Sequence, residues 1–307
     1  MKGRIKRVEA SPREPKGRGD DWTEERQASL RAPERRGKES PPKKPRRRAG
    51  NTIRAEWTKL RTLPGTVWLL IGVVAVTVAT SATVDAALSC GSSAGCHPDV
   101  TKLSLTGTYL GQAVVAIVAV LAVSGEYSTG MIRTTLAATP RRAAALAAKG
   151  AVVTGVTLAA GAVAAAGSVL AGRLILPGHG YSPAHGYLDL SLVNPTVLRA
   201  AAGTMLYLAL IGLLSLGLAT VVRDAAVAIG AVLGLLYLFP ILAAVAGSSA
   251  LQRHLQQVGP MTAGLEIQAS AGLRSLPISP WAGLGVLAAW AAAALLAGAL
   301  LLYARDA

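Results

Sequence analysis

AAAGTMLYLALIGLLSLGLATVV (Ala200–Val222), then Arg223-Asp224, then AAVAIGAVLGLLYLFPILAAV (Ala225–Val245) is the stretch on which the fold turns. A helix rises about 1.5 Å per residue and must cross about 30 Å of hydrocarbon, so roughly 20 consecutive uncharged residues can span a bilayer. Both runs meet that test, and the two charges between them leave room only for a tight turn on one side. Working outward, the same test is met by Thr62–Val84, Leu103–Gly125, Gly150–Gly172 and Ser275–Ala304, and the fifth-span run extends to Gln252. None of these stretches contains Asp, Glu, Lys, Arg or His. Trimmed for caps and loops, the spans are expected near 66–88, 105–124, 150–172, 200–222, 225–246 and 281–303. The predicted fold is all-α: a polytopic membrane protein of six transmembrane helices with both termini cytoplasmic.

Composition agrees. Of 307 residues, 52% are hydrophobic and only 15% charged, too apolar for an ordinary soluble domain. The charge is concentrated: residues 1–50 hold 17 Lys or Arg against 8 Asp or Glu, a net +9 of the chain's +15. This segment has almost no large apolar residues, cannot offset its ordering entropy, and reads as a disordered basic cytoplasmic tail attracted to anionic lipid. Its run PPKKPRRR (Pro41–Arg48) matches a nuclear or nucleic-acid patch in composition, but six spans argue against a nuclear cargo. It lacks the apolar core of a secretory signal.

Orientation follows from the accumulation of Lys and Arg on the cytoplasmic side. Without the tail, the inner side collects nine (Arg54, Lys59, Arg61, Arg133, Arg141, Arg142, Lys149, Arg223, Arg305) and the outer side five (Lys102, Arg173, Arg199, Arg253, Arg274). Cys90 and Cys96 then fall in the first outer loop, SCGSSAGCH. A disulfide is plausible there, worth about 2 kcal/mol by loop closure. Free thiols are the alternative; a metal site with His97 and Asp99 would be incomplete.

No GxxxxGK[ST] phosphate loop, zinc-protease helix or GxSxG elbow occurs. The chain is therefore not expected to hydrolyse ATP itself, and no catalytic residue, cofactor or metal ligand is assigned. Spans free of ionisable residues also argue against proton coupling. Sodium coupling through backbone carbonyls stays open, with Phe239-Pro240 as a possible break, although Pro240 more simply kinks the fifth span. Tyr207, Tyr237 and Phe239 can line an apolar path or serve as packing and interface anchors.

Two inner segments carry more information. In IRAEWTKLRTLPG (residues 53–65), Ile53, Trp57 and Leu60 share one helical face, while Arg54 and Lys59 occupy others. Residues 51–65 therefore read as an amphipathic interfacial helix on the inner leaflet, ahead of a six-helix transmembrane domain at 66–307. Between the second and third spans, GEYSTGMIRTTLAATPRRAAALAAKG (residues 125–150) offers Ser128 or Thr129 as a cap for a short helix, and Thr139-Pro140 as the start of the next. A short surface helix between two spans is a shape suited to docking a partner.

The stretches AEWTKLRT, GEYSTGMIRTTLAATPRR followed by Lys149, and SPWAGLGVLAAW with the terminal ARDA resemble the permease subunits of bacterial type-2 ATP-binding-cassette exporters, particularly actinobacterial ones. The resemblance covers about residues 53–307. It implies a six-helix domain in a bacterial plasma membrane that pairs with a second permease subunit, identical or not, and sits on cytoplasmic ATP-binding subunits. It implies that residues 53–62 are a connecting helix and that Glu126, Gly130, Arg133, Thr134, Pro140, Arg141 and Arg142 belong to the segment touching the ATPase. It also implies that the outer segment before the last span, Gly247–Pro280, dips back toward the membrane. The transported substrate is not readable. A non-transporting membrane anchor or sensor and a sodium-coupled secondary carrier are the competing classes.

Overall fold

The computed structural model describes residues 58, 64–88, 98–128, 142–181 and 186–304. Nine α-helices fall within them: α1 (Pro64–Ala87), α2 (Val100–Ser104), α3 (Thr108–Ser128), α4 (Arg142–Ile175), α5 (Pro195–Val222), α6 (Ala225–Val245), α7 (Ser249–Val258), α8 (Pro260–Leu265) and α9 (Pro280–Ala304). Short 3-10 turns follow α4 (Leu176–His179) and α8 (Glu266–Gln268). No strand occurs among the described residues. Six of the helices, α1, α3, α4, α5, α6 and α9, are long and apolar enough to cross a membrane. The chain is an all-α, multi-pass membrane protein; its two sides are labelled inner and outer as the Lys and Arg distribution assigns them.

Helix ends follow their local chemistry. Asn194 accepts from the Thr196 amide at 3.0 Å with Pro195 in the first turn, which opens α5. Arg223, in the left-handed region at φ 65°, closes it by donating its amide to the Ala219 carbonyl. Asp224 then accepts from Val227 at 2.9 Å and starts α6. Two residues thus end one span and begin the next. Pro240 lies inside α6, which continues unbroken to Val245.

The fourth span, α5, is the hub, packed by α3, α4, α6 and α9. Lipid tails are as apolar as leucine, so helices in a bilayer gain little from mere contact and hold together through close packing and hydrogen bonds. Gly217 shows this: a Cβ there would lie 2.6 Å from the Ala294 carbonyl carbon, so only glycine lets α5 and α9 approach this closely. Around α5 the main core gathers Val115 and Ala119 of α3, Leu208 and Ile211 of α5, Leu236 of α6 and Leu287 of α9. A second cluster, including Leu105, Val169, Leu176 and Val197, closes the outer end.

Two expectations need correction. The first span carries an ionisable side chain after all. The uncharged run ends at Val84, but the helix continues to Ala87, and Asp85 in its last turn has no exposed surface. The cause is tertiary: α2 and α4 pack on α1, and burial comes from protein rather than from lipid. The third span is also longer than the apolar test implies. Its helix has 34 residues, about 51 Å at 1.5 Å per residue, and begins at Arg142, eight residues before Gly150.

Candidate functional site

The outer segment between the fifth and sixth spans turns back into the bundle. Ser248 caps α7 through the Leu251 amide, and the polar sequence SALQRHLQQV leaves that helix without a buried residue. Gly259 adopts the extended backbone that a following proline favours, and Pro260 opens α8. The apolar PMTAGL of α8 is buried at Pro260, Met261, Ala263, Gly264 and Leu265. Thr262 Oγ1 donates back to the Gln256 carbonyl at 3.0 Å, tying the two helices together.

Neighbouring spans fix the depth of this hairpin. Trp290 Nε1 donates to the Val258 carbonyl at 3.0 Å, and Trp290 lies ten residues, about 15 Å, into α9. On the other side Gly259 lies against Phe239, six residues or about 9 Å from the outer end of α6. The hairpin tip therefore sits roughly 9–15 Å below the outer helix ends, and the chain climbs out again through Glu266–Ala271.

Polar side chains hold it there at two levels. Inside, Gln112 of α3 has no exposed surface; its amide donates to the Tyr109 carbonyl at 3.2 Å and approaches Met261 Sδ at 3.1 Å, while Tyr207 of α5 donates to its Oε1. Gln268, also fully buried, donates to Thr108 Oγ1 at 3.2 Å and Thr204 Oγ1 at 3.1 Å, bridging α3 and α5. Nearer the outer surface, Asp99 caps α2 through the amides of Thr101 and Lys102, and accepts from the Ser270 amide, the Ser270 hydroxyl and the Ala271 amide. Lys102 pairs with Glu266 at 3.0 Å, and Arg199 of α5 donates to the Ala269 carbonyl. One short segment, Glu266–Ala271, is thus bonded to α2, α3 and α5 at once.

No protein-family model matches the chain, and neither does any curated protein.

The sequence-predicted residues divide sharply. The interfacial-helix candidates Ile53, Arg54, Trp57, Lys59 and Leu60 lie outside the described residues, where only Thr58 of that segment is seen, as helix. So do Gly130, Arg133, Thr134, Pro140 and Arg141, the pair Cys90 and Cys96, and residues 1–50. Glu126 lies in the last turn of α3 and Arg142 opens α4, but their side chains are outside what is described. Tyr207, Tyr237 and Phe239 are packing residues. Tyr207 is fully buried on Gln112, Tyr237 donates to the Tyr109 carbonyl, and Phe239 stands edge-on to Trp290 with centroids 6.3 Å apart. Sequence reasoning missed Gln112 and Gln268. A test for charge passes over a glutamine, although an amide in an otherwise apolar run demands a partner just as a charge does. Among the described residues no three His, Cys, Asp or Glu side chains converge as metal ligands.

Proposed function

We propose that this chain is the membrane-spanning subunit of an ATP-driven exporter, working with a separate cytoplasmic ATPase and a second permease subunit in a bacterial plasma membrane. The observation that supports it most is the hairpin α7–α8, which enters the outer half of the bundle before the last span as the resemblance implies. The absence of a phosphate loop from the sequence agrees, because the energy must then enter from another chain. In this reading the coupling segment around Glu126–Arg142 receives the ATPase's motion on the inner side. The hairpin is the outer gate, released when the Asp99 and Lys102 contacts to Glu266–Ala271 break.

Co-expression with a phosphate-loop ATPase encoded beside this chain tests it. Wild type should copurify with that ATPase and alter its hydrolysis rate. Glu126→Ala and Arg141→Glu should leave expression and membrane insertion intact while weakening copurification or uncoupling hydrolysis. Unchanged behaviour of both variants in all three measurements would remove the coupling role. A wild-type chain that binds no ATPase would remove the exporter reading altogether.

A further inference from the structure

We propose that Asp85 is a binding site for a single positive charge, a proton or a sodium ion, near the outer end of the first span. The inference is independent of the ATP-driven reading. Asp85 has no exposed surface, and neither carboxylate oxygen has a hydrogen-bond partner. It is pressed between α2 and α4: a Cβ built on Gly172 would lie 3.2 Å from Asp85 Oδ2 and 2.6 Å from the Ser104 Cβ. Two more oxygens lie one helical turn away on these walls, Thr101 Oγ1 before Ser104 and Ser168 Oγ before Gly172. Both are buried and unbonded.

An ionised carboxylate taken from water without a partner costs several kcal/mol, so buried carboxylates hold a cation or a proton. Among the described residues the protein supplies no counter-charge here. Of the titratable groups on the elements packed against α1, Lys102 is paired with Glu266 and Asp99 is engaged by Ser270 and Ala271. Tyr109, Arg173 and His179 make no hydrogen bond or ion pair with Asp85. Glu126, Arg142 and Lys149 belong to the opposite, inner ends of α3 and α4. Hydroxyl oxygens on the walls that enclose a carboxylate are hard donors, able to serve an alkali cation and equally able to hydrogen-bond a neutral acid.

The test uses the full chain, purified and reconstituted in lipid. The thermal midpoint is measured as sodium replaces choline at constant ionic strength, and infrared spectra are recorded with carbon-13-labelled aspartate. In wild type, either sodium raises the midpoint by several degrees or a labelled band of protonated carboxylic acid appears at neutral pH. Asp85→Asn should abolish whichever is seen. Should that variant fail to fold, Ser168→Ala locates the site instead: at least a tenfold higher sodium requirement, or a displaced acid band, supports it. A wild-type midpoint indifferent to sodium together with fully ionised aspartates would overturn the proposal, as would either signal persisting unchanged in Asp85→Asn.

Discussion

The fourth and fifth spans are adjacent in sequence, joined by two residues, and about equally apolar, yet they sit in different environments. In α5, 61% of the most apolar window is buried inside the protein; in α6 only 17% is. Both carry glycines. Gly203 and Gly217 of α5 each face a neighbour closely enough that a side chain would strike it, Ile267 and Ala294 respectively, and Gly212 sits tightly against Thr157. Gly230 and Gly234 of α6, spaced as GxxxG, meet nothing within 4 Å. Glycine spacing permits close approach but does not supply the partner. Among the described residues no intrachain contact is made at Gly230 or Gly234, and their face is open.

Exchanging side chains between these two helices should give graded effects on thermal unfolding in lipid or detergent. Gly217→Leu forces a side chain into the backbone of α9 and should cost about 3 kcal/mol or more, at or beyond the upper end of overpacking effects. A wild-type melting curve would mean that α5 and α9 are not in contact there. Tyr207→Phe comes next. It leaves the buried Oε1 of Gln112 without its donor, an expected loss of about 1–3 kcal/mol. Tyr237→Phe, the matching change on α6, removes one of two side-chain donors to the Tyr109 carbonyl and leaves Gln112 Nε2 in place. About 0.5 kcal/mol is expected, and a loss equal to that of Tyr207→Phe would erase the contrast between the helices. Gly234→Leu should change the stability of the single chain by less than about 0.5 kcal/mol, the usual range for a site without neighbours. A large loss would show that the open face is occupied.

Much of the fold was legible because lipid imposes a simple rule. Apolar length alone fixed the six spans, and five of them begin and end within about five residues of expectation. α4 departs most, since Arg142–Lys149 continue the helix beyond the hydrocarbon, where charge no longer forbids it. The candidate site was far less legible. Only its position, the long segment before the last span, was anticipated, and that came from resemblance rather than from the residues. The bonds of Asp99 to Ser270 and of Gln268 to Thr108 join positions 171 and 160 residues apart, and no local pattern announces such pairs.

By itself, then, the sequence determined how many helices are long and apolar enough to cross a membrane and roughly where each lies, because hydropathy and charge act over one helix or less. Tertiary structure alone decided that α5 is central and α6 peripheral, that α8 is buried while α7 is not, and that Asp85 is sealed off from solvent. In a bilayer every span is already in an apolar medium, so hydropathy cannot rank the spans by burial. That ranking is set by which small residues meet and which polar groups find each other.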